Sequence, residues 1–240
     1  MNFFQDIDDF ELLGQSTDTA PGEILDKAAR RLKLHLLKSE LRNVSGGQAI
    51  EMMGKTGDPL SIEWPQPLSR HRDCMFSFGG LRTQTERWIS KYEKEEEIQP
   101  DQMLKIIPDF CASMEYGLGK FMGKRLQRAL EFLQLEDTEI NSVVVSGGVA
   151  SNQRIRSLLQ IVCKEYNCNL VVPPVKYCTD NGVMIAWNGV EKWNRQNPKD
   201  FVPWQKVFQV EVHPRVPFGQ DISAKVAKAN IKLPKIKFSG

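Results

Sequence analysis

The segment Val143-Val-Val-Ser-Gly-Gly-Val-Ala-Ser-Asn-Gln-Arg-Ile-Arg156 constrains this chain more than any other. Three consecutive valines suit a strand buried on both faces, two glycines mark a turn, and Asn152 is placed to open a helix that runs on to Glu165. The pattern then recurs, with a strand at Leu170 to Val172, a proline-rich loop, and a helix from Asn181 to Trp193 for which Thr179 is the expected cap. Such alternation defines an α/β protein with a parallel or mixed sheet.

Upstream, Phe10 to Leu13 reads as a strand, followed by a helix capped by Thr19, with Pro21 in its first turn and Ile24, Leu25, Ala28, Leu32 and Leu36 at helical spacing. From Ser39 to Pro67 glycine and proline breakers, Gly46-Gly47 among them, predict irregular chain. Cys74 to Phe78 alternates as a strand would, and Gly79-Gly80 closes it. Thr83 to Glu97 predicts a charged helix whose Lys91 to Glu97 part is a solvated face. Asp101 to Leu133 carries Phe110, Met114, Leu118, Met122, Leu126 and Leu130 three or four residues apart, which predicts a long buried helix with a break near Pro108.

At 240 residues, 41% hydrophobic and 26% charged, the chain can bury a sizeable core, which excludes general disorder. No window approaches a membrane-spanning run of apolar residues, so no membrane role is expected. Five cysteines, odd in number and without CxxC spacing, predict reduced thiols and an intracellular compartment. The first ten residues hold three acids and no base, so no targeting peptide is expected in this chain. The basicity lies late, with eight bases against three acids from Pro198 to Gly240. The lysines there can touch RNA phosphates, although a loosely packed, solvated extension is the commoner explanation. The organisation expected is a domain over residues 1–197 and a basic C-terminal extension over 198–240.

The glycine turn at Gly147 and Gly148 can offer backbone amides and a helix N-terminus to an anion, or it can be a tight turn without a ligand. Asp180 stands in the first turn of its helix, where capping alone accounts for it. Asp18, Glu23 and Asp26 gather near one helix start. Asp26 can accept hydrogen bonds from sugar hydroxyls, or be a surface acid. His35, His71 and His213 are far apart and read as ordinary surface histidines.

Five ordered motifs then carry a resemblance. They are Leu13-Gly-Gln-Ser-Thr-Asp-Thr-Ala-Pro-Gly-Glu-Ile-Leu-Asp-Lys27, Ser45-Gly-Gly47, Phe76-Ser-Phe-Gly-Gly-Leu-Arg-Thr83, Ser146-Gly-Gly-Val-Ala-Ser-Asn152 and Cys178-Thr-Asp-Asn-Gly-Val-Met-Ile-Ala186. Together they resemble the tRNA threonylcarbamoyltransferases, most closely the mitochondrial branch. The resemblance implies an actin-like, ribonuclease-H-like ATPase fold, incomplete here, lacking the N-terminal part of the first lobe. It implies that Asp26, Gly47 and Asn152 contact the substrate, that Gly147 and Gly148 form a phosphate loop, and that Asp180 is a metal ligand. It assigns no catalytic base. The implied reaction transfers threonylcarbamoyl from threonylcarbamoyl-adenylate to the N(6) amine of the adenosine beside the anticodon, in mitochondrial tRNAs reading codons that begin with A. Partners are then tRNA, threonylcarbamoyl-adenylate and a second copy in a homodimer.

The family completes its site for one divalent ion, iron or zinc, with an HxxxH pair that this sequence lacks, so metal binding is expected to be weakened. The chain corresponds to the later two-thirds of a family member. Its runner-up reading is a catalytically dead, nucleotide- or protein-binding remnant. A sugar or acetate kinase would not be expected to show the Thr179 to Ala186 helix start, and a metalloprotease would need an HExxH that is absent.

Overall fold

The structure is a computed structural model that describes residues 1–6, 9–95, 105–174, 177–178, 181–196, 203 and 219–238. Its axis is α5, Ile107–Leu135, a 29-residue helix that is buried along most of its length. Pro108 sits in its first turn and so begins the helix instead of breaking it, because a first-turn residue needs no intrahelical N–H partner. Asp137 ends it with a positive φ of 53°, while the Thr138 N–H bonds to the Leu133 carbonyl at 2.9 Å.

Two helices lie directly on α5: α3, Gly46–Gly54, and α6, Gln153–Glu165. Helix α1, Pro21–Arg31, covers α3 and meets α4, Gly79–Glu95. Helix α1 stops earlier than its apolar spacing predicts, since Lys33 takes a positive φ of 52° and the chain restarts as the short α2, Leu34–Leu37. Thr19 is not its cap. Ala20 occupies that position, and the Thr19 hydroxyl donates instead to Glu23.

The region from Ser39 to Pro67, expected to be irregular, contains α3, with Gly46 and Gly47 as its first residues and Ser45 accepting the Gln48 N–H at 3.2 Å. Gly46 is needed for packing, because a Cβ there would stand 2.5 Å from the Cα and Oδ1 of Asp26. Residues 74–78 do not form a strand. They make a single parallel bridge between Ser16 and Phe76, and Gly79-Gly80 open α4. The face from Lys91 onward is not purely solvated either, for Arg31 on α1 holds Glu93 through two bonds of 2.6 Å and reaches Glu86 at 3.2 Å.

Asp18 shows how far a cap can reach along the chain. Its carboxylate accepts the Phe78 N–H at 2.8 Å, the Gly79 N–H at 3.0 Å and the Ser77 hydroxyl at 2.6 Å, so it caps α4 instead of serving the nearby α1. Partial desolvation works to raise its pKa, but the Phe78 amide, the Ser77 hydroxyl and the Gly79 and Thr19 amides hold it well below the usual carboxylate range. A depressed carboxylate stabilises the fold above its unfolded pKa, about 4, and that contribution is lost as pH falls through the folded value. Asp18→Ala is expected to cost about 1 kcal/mol at neutral pH. Urea midpoints should show the wild type losing its advantage over the variant below about pH 4. A gap of constant size at all pH values would contradict the cap.

Two small sheets flank the helices. In one, β1, Asn2–Asp6, pairs antiparallel with β2, Asp9–Leu12. In the other, β3, Ser142–Val144, pairs parallel with β4, Asn169–Val171, in the register Val143 to Leu170. Residues 219–238 are built into the body of the protein and are not the loosely packed extension expected of the late segment. Strand β5, Gln220–Asp221, joins β2 in parallel, and α8, Ser223–Lys228, buries Val226 against Leu13, Ala129 and Phe132. Gly219 admits this pairing, as a Cβ would stand 1.8 Å from the Phe10 carbonyl oxygen. The chain then runs back along α5, where the Gln127 Nε2 donates to Pro234 and the Tyr116 hydroxyl to Phe238.

The segment before residue 78 is held to α5 mainly by side chains. Buried Arg125 donates to four carbonyls, those of His71 at 3.1 Å, Asp73 at 2.8 Å, Pro67 at 3.2 Å and Leu68 at 2.7 Å. Phe76, Phe78 and Phe121 pack as one aromatic cluster. All five cysteines are buried free thiols, and burial pushes Cys74 and Cys163 up to about 12. Among the described residues no helix is long and apolar enough to cross a membrane.

Candidate functional site

Three helix starts meet at one cavity. Helix α1 brings Asp26, the N-terminus of α3 brings Ser45 and Gly47, and the turn from β3 into α6 brings Gly147, Gly148 and Asn152. The cavity is about 420 Å³, within the range of small-molecule sites. The structure thus places Asp26, Gly47, Gly147, Gly148 and Asn152 around a single space, although they come from separate parts of the sequence.

Local chemistry shapes each wall. Asp26 accepts the Gly47 N–H at 3.2 Å, putting a carboxylate on the positive end of α3 and leaving its second oxygen for other partners. Gly147 has a φ of +98°, which only glycine adopts without strain. A Cβ at Gly147 or Gly148 would meet nothing within 4 Å, so the turn borders open space. Asn152 caps α6 with its Oδ1 accepting the Ile155 N–H at 2.9 Å, and it is only 4% exposed.

The first turn of α6 is less open to an anion than the strand–turn–helix pattern predicts. Glu51 of α3 already accepts the Gln153 N–H at 2.9 Å, and Asn152 takes that of Ile155. The glycine turn is therefore the part of this wall best suited to receive phosphate oxygens. The Asp26 carboxylate on α1 favours hydroxyl donors beside it, such as a ribose offers, while Glu51 lies against the α6 wall.

Sequence reasoning missed Gln48 and Glu51 on the cavity wall and Glu115 behind it. Glu115 left a signal, since it is an acid in the buried register between Cys111 and Leu118 of α5. Asp180 and Thr179 lie outside the described residues, as does His213. Helix α7, Gly182–Arg195, follows them, and its described cap is Asn181, whose Oδ1 accepts the Met184 N–H at 3.0 Å. His35 and His71 are exposed. Among the described residues no three histidine, cysteine, aspartate or glutamate side chains stand close enough to hold a metal ion, and Asp180, the expected ligand, is outside that set.

The family model described as tRNA N6-adenosine threonylcarbamoyltransferase matches residues 2–187. A zebrafish (Danio rerio) protein named as the mitochondrial form of that enzyme is 43% identical over 234 residues, covering 96% of this chain and 57% of its own length. The similarly named human protein is 41% identical over 236 residues, covering 97% of this chain and 56% of its own. A bacterial relative named for the same activity, from Sinorhizobium medicae, is 33% identical over 221 residues, covering 91% of this chain and 55% of its own. The chain therefore spans little more than half the length of the curated relatives it matches, less than the two-thirds expected from the resemblance. Its mixed α/β architecture is consistent with an actin-like ATPase fold that lacks part of the N-terminal lobe. By a family match over most of its residues and by relatives above 40% identity along nearly all of it, the chain belongs to the tRNA N6-adenosine threonylcarbamoyltransferase family.

Proposed function

We propose that this chain carries the adenylate-binding part of a mitochondrial tRNA threonylcarbamoyltransferase, and that the cavity between α1, α3 and α6 receives threonylcarbamoyl-adenylate. The observation that carries the reading is the convergence of Asp26, Gly47, the Gly147-Gly148 turn and Asn152 on one space. Asp26 would accept from the ribose hydroxyls and the glycine turn would donate main-chain N–H groups to the phosphate. Mitochondrial location follows the names of the relatives from zebrafish and human.

In the proposed reaction the N(6) amine of the adenosine next to the anticodon, in tRNAs reading codons that begin with A, attacks the carbamoyl carbon. A C–N bond forms, the bond from that carbon to the phosphate oxygen breaks, and AMP leaves with the electron pair. The amine's proton passes to solvent. The donors at the turn would stabilise the charge that grows on the phosphate as AMP departs. Asp180 would be the carboxylate ligand of a divalent ion, and no step is routed through a metal here. We infer that the 240-residue chain binds zinc or iron weakly and turns over slowly by itself, with homodimer formation as an assembly to be tested.

Calorimetry with AMP and a tRNA-modification assay test the proposal together. The chain is expected to bind AMP, and Asn152→Ala or Asp26→Ala to weaken that binding by about tenfold, the loss of one well-made hydrogen bond. Equal AMP affinity in both variants would reject the cavity. Micromolar or tighter metal binding with full turnover by the chain alone would reject the inference about the metal. AMP binding without any turnover, even in a longer form carrying a histidine pair, would favour a nucleotide-binding remnant.

A further inference from the structure

Glu115 is an acid in an unusual place, where burial raises its pKa while the Asn152 and Arg154 donors favour the carboxylate and oppose that shift. It is 1% exposed, in the first third of α5, and packs behind the wall that Asn152 presents to the cavity. Its Oε1 accepts from the Asn152 Nδ2, and its Oε2 accepts from the Arg154 Nε at 3.3 Å. Arg154 also donates to the Gly54 carbonyl at 3.1 Å, where α3 ends. The carboxylate therefore joins α3, α5 and α6 at one point.

The inventory of Asn152 then becomes informative. A carboxamide has two N–H donors and one acceptor oxygen. The oxygen is committed to Ile155 and one N–H to Glu115, so among the described residues the second N–H has no partner, on a residue that lines the cavity. We propose that Glu115 is a positioning residue, which fixes the Asn152 carboxamide so that its remaining N–H is offered to an acceptor atom of the ligand. This deepens the adenylate reading and rests on it.

Two physical arguments support the assignment. Removing a carboxylate from water is costly, and an apolar residue in the same register of α5 would stabilise the core at less expense, so stability alone is a poor reason for Glu115. Both of its oxygens face N–H donors, a match that only an acceptor without protons of its own completes. Without that acceptor the carboxamide can turn over, placing its oxygen where the free N–H stood and repelling the ligand's acceptor.

The test uses the full 240-residue chain, AMP as the probe, and the side-chain amide signals of Asn152 in nitrogen-15 NMR spectra, assigned by their loss in Asn152→Asp. Glu115→Gln keeps the shape, but its amide must face Arg154 with a donor or Asn152 with a donor. It is expected to move the Asn152 amide signals and weaken AMP binding by about tenfold. Adding Arg154→Met removes the donor conflict and should recover most of the affinity, a rescue that general loosening of the fold would not give. Should Glu115→Gln fail to fold, the double variant still decides, because a neutral acceptor in place of a charged one must shift the Asn152 signals. Unmoved signals in either variant would overturn the proposal. So would unchanged AMP affinity in Glu115→Gln where Asn152→Ala loses it. If the wild-type chain binds no AMP, the adenylate reading fails, and the amide signals alone support or overturn the role of Glu115.

Discussion

Phe121→Ala is expected to remove about 3–5 kcal/mol of stability, the range for deleting a fully buried phenyl ring. Phe121 is 1% exposed, its ring centroid lies 5.9 Å from Phe76 and 5.6 Å from Phe78, both edge-on, and the Arg125 guanidinium stands 5.4 Å from it. Those contacts connect α5 to the segment that leads into α4, so the cavity left behind would be lined by side chains that cannot collapse independently. Against a typical total of about 5–15 kcal/mol, the loss is large enough to show as a marked drop in the urea midpoint with little change in slope. A loss under about 1.5 kcal/mol would mean that the site relaxes and the cluster is not a fixed part of the core.

The second large effect concerns α7. None of its residues is buried, and Ile185, Trp187 and Trp193 are 69%, 62% and 65% exposed. Val183, Met184 and Val190 are exposed on the same helix, and Val144 at the margin of the two-stranded β3–β4 sheet is exposed as well. Exposed apolar side chains gathered on one helix drive association when they meet their like. The chain is therefore expected to self-associate, and the double variant Ile185→Lys, Trp193→Glu to weaken that association at least about tenfold. Sedimentation velocity over a concentration series measures it. A wild-type chain that stays monomeric throughout, or a variant that associates as strongly, would show that α7 does not mediate contact.

Legibility in the sequence depended on whether an element's causes were local. The succession β3, α6, β4 could be read because apolar runs, a glycine turn and an asparagine cap all lie within the segments they shape, although β3 is exposed on one face and not buried on both. Helix α5 could be read from its spacing, and only the role of Pro108 changed. Helix α3 could not, because two glycines look like breakers until Ser45 caps them and Asp26, from another helix, meets the Gly47 N–H. Residues 74–78 alternate like a strand but pair with Ser16 only once, so the pattern had no ladder to join. The late segment looked detachable because its lysines dominate its composition, while Gly219, Val226 and Ile231 decide how it packs. At the site, the motifs gave Asp26, Gly47, the glycine pair and Asn152, whereas periodicity alone left each with a plain structural explanation. Glu51 and Glu115 act across helix contacts and had no motif to announce them. Asp18 stood near α1 in sequence yet serves α4, a partnership that only the tertiary fold creates.

The four-carbonyl grip of Arg125 has a consequence in time. Residues 67–73 contain no helix or strand that could order them early, and their carbonyls bond to a guanidinium more than 50 positions further along the chain. Closing such a span is entropically unfavourable until something rigid waits at its far end. The loop is therefore expected to set after α5 has formed and turned Arg125 toward it, and to be released when α5 lets go. Because the guanidinium keeps its proton at any ordinary pH and spreads its donors over a flat fork, acid would not release the hold and a lysine in its place would not reproduce it. Amide exchange along this loop should thus keep pace with the helix it leans on and not with the surface on which it lies.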